Sequence, residues 1–159
     1  MALSHVDEEG KARQVDVSGK PEVLRRATAC GRVRMARETV RLIRENQMSK
    51  GDVLAVAQIA GIAASKRTAE LVPLCHNIPI DRVEVRCTVL SDAVEIRSEA
   101  VCTARTGIEM EALTAAAVAA LTVYDMCKAA DKGMVIEEIR LLEKSKGAAA
   151  QQPAAGTRP

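Results

Sequence analysis

The chain has 159 residues, of which 48% are hydrophobic, and a formal net charge of +2. This length and composition suit a single globular domain with a core of its own. With no Trp, no Phe and one Tyr, the core must be built from aliphatic side chains, and aromatic platforms for single-stranded nucleic acid are disfavoured. The nearly balanced charge creates no global field toward nucleic acid or a membrane.

No apolar run is expected to be long enough to cross a bilayer, and the N-terminus does not resemble a signal peptide. The five cysteines are odd in number, scattered, and include no Cys-x-x-Cys pair. This pattern predicts neither a zinc site nor a disulfide framework. A reducing cytoplasm is therefore the expected location.

The N-terminal third begins with a polar stretch without periodicity, and residues 1–14 are predicted to form a mobile arm. From Val23 to Met35 alternate residues are apolar or small, which predicts a strand. Residues 37–46 then predict a helix with Val40 and Ile43 directed inward.

The middle third begins with a second predicted helix, for which Ser49 and Asp52 have the spacing of a capping pair. Its inward face is predicted at Val53, Val56, Ala57, Ala60 and Ala64. Residues 71–80 form a loop with two prolines, and residues 83–89 and 94–100 alternate as the strands of a hairpin.

A long alanine-rich helix follows, with Thr106 and Glu109 at capping-box spacing. The residues predicted to form its apolar face are Leu113, Ala117, Ala120, Leu121 and Tyr124. Residues 135–143 predict a last strand. Residues 15–146 are thus predicted to be one catalytic domain with a ferredoxin-like β-α-β-β-α-β fold, an α+β antiparallel sheet with helices on one face. A disordered tail is predicted over residues 147–159.

Asp125 and Lys128 lie three residues apart near the end of the long helix, so they are neighbours on its surface at the edge of the apolar face. A half-buried carboxylate beside an ammonium group can act as base and acid. A surface ion pair is the alternative interpretation.

Other candidates lie around the second helix and the proline-bracketed loop. Lys50 precedes that helix and Lys66 and Arg67 end it, which predicts a phosphate pocket if they converge, or merely solvated cations if they do not. His76 is held in the loop as a possible catalyst or a surface residue.

Three blocks of the chain carry a resemblance to a known family. They are Lys50-Gly51-Asp52-Val53-Leu54 with Ile59-Ala60-Gly61-Ile62, Lys66-Arg67-Thr68 through Pro73-Leu74-Cys75-His76, and Thr106-Gly107-Ile108-Glu109-Met110-Glu111-Ala112-Leu113-Thr114-Ala115 through Tyr124-Asp125-Met126-Cys127-Lys128-Ala129. Together with Val15-Asp16-Val17-Ser18, they make residues 15–146 similar to the cyclic pyranopterin monophosphate synthase family of molybdenum cofactor biosynthesis.

The resemblance implies conversion of 3′,8-cyclo-7,8-dihydroguanosine 5′-triphosphate to cyclic pyranopterin monophosphate with loss of diphosphate. It implies a hexamer, a trimer of dimers, with active sites at the dimer interface. Asp125 and Lys128 match the family's catalytic residues. The positions that match substrate-binding residues are Leu74, Cys75, His76, Met110 and Glu111, with Lys50 and Lys144 as further basic residues of the pocket.

The substrate-binding set predicted for this chain also includes Lys66, Arg67 and Glu109. The chain departs from the family pattern at Asn77, where the family has proline. After the last strand it keeps only Lys144-Ser145-Lys146-Gly147 of a lysine- and glycine-rich motif.

The chemistry expected from these residues is proton transfer by a carboxylate and a lysine, with cations stabilising the departing diphosphate. No metal-ligand spacing occurs, so no obligatory metal is predicted, although Mg²⁺ could accompany the triphosphate. A non-catalytic oligomeric module that binds a nucleotide or anion is the alternative function, since fold alone does not decide activity. Neither nucleic acid nor a membrane is an expected partner.

Overall fold

Four strands and four helices make up residues 9–147, the part of the chain that the computed structural model describes. The elements are β1 (Val23–Arg34), α1 (Arg37–Arg44), α2 (Val53–Ser65), α3 (Thr68–Leu71), β2 (Arg82–Val89), β3 (Ala93–Ala104), α4 (Glu109–Cys127) and β4 (Val135–Gly147).

The strands form one antiparallel sheet in the order β2-β3-β1-β4. Strands β2 and β3 are the predicted hairpin, and β1 lies between β3 and β4. Helices α1 to α3 connect β1 to β2, and α4 connects β3 to β4. This order confirms the predicted ferredoxin-like α+β arrangement.

Helices α2 and α4 pack beside one another against one face of the sheet. Alternation along the strands turns Ala29, Val33 and Ile96 toward the helices, where they are buried. On the opposite face Arg26 pairs with Glu99 across the strands, as expected for a surface in contact with water. Arg26, Arg32 and Arg34 of the first strand thus form ion pairs rather than one common pocket, and Arg25 donates to the carbonyl oxygens of Ala104 and Arg105.

Small residues let α4 lie close to both the sheet and α2. The residues of α4 with no exposed surface include Ala112, Ala115, Ala116, Ala119 and Ala120. A Cβ built on Gly61 of α2 would lie 2.7 Å from the Ala115 carbonyl oxygen and 3.3 Å from the Ala119 Cβ. The two helices are therefore in contact at a point where only glycine fits.

The helix starts differ from the predicted capping pairs. Asp52 itself is the N-cap of α2, and its Oδ1 accepts a hydrogen bond from the Ala55 N–H at 3.0 Å. Helix α4 has Ile108 at its N-cap position and no side-chain capping bond, so the predicted Thr106–Glu109 capping box is wrong. The Glu109 carboxylate instead accepts a hydrogen bond from Lys144.

The inward faces of both long helices were predicted only in part. Val56 in α2 and Leu121 in α4 are exposed rather than buried. Because both helices carry apolar or small residues on almost every side, spacing could not show which side contacts the sheet. The apolar residues left on the outer surface of the helices include Val56, Ile59, Met110 and Leu121.

Strand β4 is longer than predicted and extends to Gly147 by pairing with β1, up to the Leu24–Gly147 pair. Lys144 and Lys146 are consequently strand residues. The predicted tail beyond residue 147 and the first eight residues of the predicted arm lie outside the described part of the chain.

Helix α4 has 19 residues with a mean hydropathy of 1.3, which is long and apolar enough to cross a membrane by length and composition alone. The expectation that no such run exists is therefore wrong. In the folded chain more than half of the helix is buried against the sheet and α2, as in the central helix of many globular proteins.

Gly61→Ala tests the helix contact. Alanine favours a helix over glycine by about 1 kcal/mol, but the added methyl group meets the backbone of α4, so we expect a net loss of about 1–3 kcal/mol in the free energy of unfolding. Urea denaturation measures it. Gly19→Ala is the control, because its Cβ would meet nothing within 4 Å. Unchanged or increased stability of Gly61→Ala would contradict the contact described here.

Candidate active site

Asp125 lies between two ammonium groups at the C-terminal end of α4. Its Oδ1 is 2.6 Å from Lys128 Nζ, and its Oδ2 is 2.7 Å from Lys50 Nζ. Lys50 also donates to the Asp125 carbonyl oxygen at 3.1 Å. Lys50 reaches this point because the turn before α2 lies beside the end of α4. The structure thus brings Lys50 to the Asp125–Lys128 pair that the sequence predicted from spacing.

All three side chains are about half exposed, so burial has little effect on their charges. Hydrogen bonding therefore dominates the electrostatics of this cluster. Hydrogen bonds from Lys128 and then Lys50 lower the pKa of Asp125 from 3.8 to about 2. The same contact raises the pKa of Lys128. The predicted half-burial of the pair is therefore wrong for the single chain, and Asp125 is an ionised but weakly basic carboxylate there.

A cavity of about 360 Å³ lies at the opposite end of α4. Its lining includes Leu74, Cys75 and His76 from the loop after α3 and Glu109, Met110 and Glu111 from the first turn of α4. The structure thus gathers six of the predicted substrate-binding residues around one space. It is of the size that encloses small molecules.

Glu111 is the unusual group in this cavity. Its side chain is buried, and its Oε2 has no hydrogen-bond partner among residues 9–147. Burial raises its pKa, and the nearby Glu109 acts in the same direction. Burial and the charge of Glu111 also raise the pKa of the Cys75 thiol. A buried carboxyl group with one unpartnered oxygen can take up a proton or receive hydrogen bonds from a ligand.

Three of the basic residues predicted for the pocket lie around this second end, whereas Lys50 lies at the Asp125 end. Lys144 Nζ is 3.1 Å from Glu109 Oε1, which lies folded back over Gly107. Lys66 lines a neighbouring groove with Ile78 and Asp81. Arg67 is exposed at the start of α3. Of these cations, Lys144 has direct contact with a residue that lines the cavity.

The N-terminal segment supplies cavity residues that the site prediction missed. Val15, Val17 and Lys20 line the same space as His76. Val15 and Val17 belong to the short stretch that contributed to the family resemblance, and this was the available signal. Their alternation with polar neighbours is too short to indicate a location in the fold.

The two groups of residues are far apart within one chain. Fourteen residues of α4 separate Glu111 from Asp125, which corresponds to about 21 Å along the helix axis at 1.5 Å per residue. Lys50 and Lys128 accompany Asp125, whereas His76 accompanies Glu111. The two groups therefore do not line one common cavity within a single chain.

Chemically, the Asp125 group offers two cations and a carboxylate, which can bind phosphate and exchange protons. The cavity offers a buried carboxyl group, an imidazole and a thiol, which can orient a polar ring. Within residues 9–147 no three His, Cys, Asp or Glu side chains gather as a set of metal ligands.

Comparison with known proteins gives a consistent result. The family model described as MoaC family matches residues 14–147. The chain is 57% identical over 147 residues to the cyclic pyranopterin monophosphate synthase of Thermomicrobium roseum, covering 91% of this chain and 89% of the relative. It is 52% identical to the enzyme of that name from Peptoclostridium acidaminophilum, covering 92% and 94%. It is also 54% identical to molybdenum cofactor biosynthesis protein 1 of Drosophila melanogaster, covering 91% of this chain and 26% of that longer protein.

Glu111→Gln tests the buried carboxyl group through stability. Because its folded pKa is raised, the unfolded chain loses this proton first, and the free energy of unfolding should fall as pH rises from about 4.5 through the folded pKa. The glutamine variant lacks this fall. Above that pH window its free energy of unfolding should therefore be higher than that of the natural chain by on the order of 1 kcal/mol. Denaturation at a series of pH values measures the difference.

Replacement of the exposed Glu143 by glutamine controls for the loss of one negative charge. Equal pH dependence in the natural chain and in Glu111→Gln would refute the raised pKa.

Proposed function

This chain belongs to the MoaC family, and we propose from that membership that it converts 3′,8-cyclo-7,8-dihydroguanosine 5′-triphosphate to cyclic pyranopterin monophosphate and diphosphate. It is then a lyase of molybdenum cofactor biosynthesis. The observation that carries the proposal is high identity to synthases of that name over about nine-tenths of both chains. The Lys50–Asp125–Lys128 cluster supports the same proposal, because it supplies the cations and the carboxylate that the reaction needs.

The release of diphosphate defines what the cations do. Forming the cyclic phosphate makes one bond between a substrate oxygen and the α-phosphorus and breaks the bond from that phosphorus to the oxygen that leaves with diphosphate. The attacking hydroxyl loses its proton to a base, and the departing group gains negative charge. Lys50 and Lys128 are placed to stabilise that charge, as cations near a leaving phosphate do.

Asp125 becomes a better base when the substrate binds. In the free chain its pKa is held at about 2 by Lys128 and Lys50. A bound polyphosphate competes for the same ammonium groups, and each hydrogen bond that Asp125 loses raises its proton affinity. The phosphate then prepares the carboxylate to accept a proton, and Lys128 to return one.

The buried end of the site suits the ring system of the substrate. Glu111 can accept hydrogen bonds from ring N–H groups, which would supply the partner that its Oε2 lacks within the described chain. His76 and Met110 line the same space. We propose that the other predicted residues also bind the substrate, namely Leu74, Cys75, Glu109, Lys66, Arg67 and Lys144.

A complete site requires two subunits. The cavity that Glu111 lines and the Asp125 cluster lie at opposite ends of α4, so we propose that the cavity of one subunit is completed by the Asp125 cluster of another. The exposed apolar residues on the outer side of the helices, such as Ile59 and Leu121, are the surface that association would cover. We assign the assembly as a homo-oligomer, a hexamer built as a trimer of dimers, as the family resemblance implies.

No resident metal is part of this proposal, and Mg²⁺ would enter with the triphosphate. The cytoplasm is the proposed location, because all five cysteines are unpaired thiols, which suits a reducing compartment.

Incubation with the cyclised GTP derivative should yield diphosphate and the pterin product. Binding of the compound without turnover would instead favour the non-catalytic module.

Asp125→Asn and Lys128→Ala test the chemistry. Each should lower turnover by about 10²–10⁴-fold, the usual contribution of general acid–base catalysis. Because the two act as a unit, the double variant should be little worse than the poorer single variant. The rate of diphosphate release and the melting temperature are measured on the same proteins. Full activity of Asp125→Asn would rule out its role as base, and the ion pair would then be only structural.

Mixed oligomers test the shared site. Asp125→Asn and Glu111→Ala subunits are each expected to be inactive, but random co-assembly within dimers should restore an intact site at about a quarter of positions. Co-expressed Asp125→Asn and Lys128→Ala subunits are the matched control, because both changes fall in the same half and no intact half-site pair forms. Equal inactivity of both mixtures, or a stable monomer by light scattering at low micromolar concentration, would contradict the shared site.

A further inference from the structure

Two hydrogen bonds of opposite direction join the N-terminal segment to the loop before β2. The Gln14 side-chain Nε2 donates to the Cys75 carbonyl oxygen at 2.8 Å. The His76 Nε2 lies 2.7 Å from the Val15 carbonyl oxygen. Two successive residues of one segment thus contact two successive residues of the other, which are 61 positions away in sequence.

The segment beyond this junction is shaped to form a wall. Its backbone turns through the Lys20 N–H to Val17 carbonyl bond at 3.0 Å, and Asp16 accepts from the Ser18 N–H at 2.8 Å. Val15, Val17 and Lys20 then face the cavity that Glu111 lines. Among residues 9–147 Lys20 has no ion-pair partner, so the wall brings an unpaired cation to the cavity.

The loop is a firm base for this contact. Pro73 and Pro79 restrict its backbone, and the Cys75 N–H donates to the Val72 carbonyl oxygen at 3.0 Å. The N-terminal segment belongs to no helix or long strand, and within residues 9–147 the bonds to Cys75 and His76 are the side-chain hydrogen bonds that join residues 14–20 to the loop. Its position therefore depends on the loop.

The Val15 carbonyl can only accept a hydrogen bond, so His76 must carry its proton on Nε2. In the neutral imidazole, Nδ1 is then the unprotonated nitrogen. Nε2 is committed to the backbone of the segment and is not available to the substrate while the segment is in place.

We propose that His76 is a positioning residue that, together with Gln14, holds residues 14–20 as a wall of the substrate cavity through its Nε2–H donor. The consequence for substrate rests on the proposed function: release of the wall should weaken substrate binding more than it slows the chemical steps, since Asp125 and Lys128 are remote from it.

Trypsin tests the wall without any substrate. The bond after Arg13 lies directly before the Gln14 contact, and Pro21 protects the bond after Lys20, so cleavage after Arg13 reports release of the segment. Glutamine in place of His76 keeps a donor near the Nε2 position, whereas asparagine keeps one near Nδ1. We expect His76→Asn and Gln14→Ala to be cleaved after Arg13 about five-fold faster than the natural chain, as loss of one net hydrogen bond implies, and His76→Gln to recover resistance.

Kinetics on Gln14→Ala give the second measurement. KM for the cyclised GTP derivative should rise about five-fold while kcat falls by less than about two-fold, the pattern of lost binding rather than lost chemistry. Melting temperatures confirm that each variant is folded. Mass spectrometry of the fragments distinguishes cleavage after Arg13 from cleavage after Lys11.

Equal trypsin resistance of His76→Asn, His76→Gln and the natural chain would overturn the proposal, as would an unchanged KM for Gln14→Ala in an active enzyme. If the natural protein makes no product, the proposed function fails, whereas the trypsin comparison still decides the role of His76.

Discussion

The close contact between α2 and α4 is the constraint on which the rest of the structure depends. Gly61 against Ala115 and Ala119 sets the distance between the two helices. Because the helices lie antiparallel, this contact also fixes which end of α2 lies beside which end of α4. The turn before α2 brings Lys50 to Asp125, and the chain after α2 brings the loop with His76 to the start of α4. The positions of both functional groups therefore follow from helix packing in the core.

The two ends of α4 have opposite electrostatic character. At the exposed end, Lys128 and Lys50 hold the pKa of Asp125 at about 2, so its carboxylate is ionised and bonded to two cations. At the buried end, removal from water raises the pKa of Glu111 and favours its neutral form. A carboxylate that binds protons weakly and a carboxyl group that binds them strongly are suited to different steps of one reaction. In the proposed assembly a second subunit joins them, and the apolar outer side of the helices is the surface that association would cover.

Much of the fold was predictable because its signals are local. Alternation in residues 23–35 and in the hairpin indicated β1, β2 and β3, and the order of elements indicated a ferredoxin-like sheet, which the strand order confirms. The errors have two different causes, one a long-range contact and the other a weak local signal. The Thr106–Glu109 spacing resembled a capping box, yet Glu109 pairs with Lys144 on β4 instead. Leu121 was assigned to the buried face because an alanine-rich helix carries almost no directional hydrophobic signal.

The sequence by itself identified the family and predicted the reaction and the candidate site residues, since the blocks that carry the family resemblance around Lys50, His76, Glu111 and Asp125 can be recognised without coordinates. The proximity of Asp125 to Lys128 could also be derived, because three residues span less than one helical turn. Only the tertiary structure decided that Lys50 joins this pair, that the buried Glu111 Oε2 has no hydrogen-bond partner within residues 9–147, and that residues 14–20 are joined to His76. These facts depend on contacts between residues 61 to 75 positions apart and on burial, and neither leaves a periodic trace in the chain.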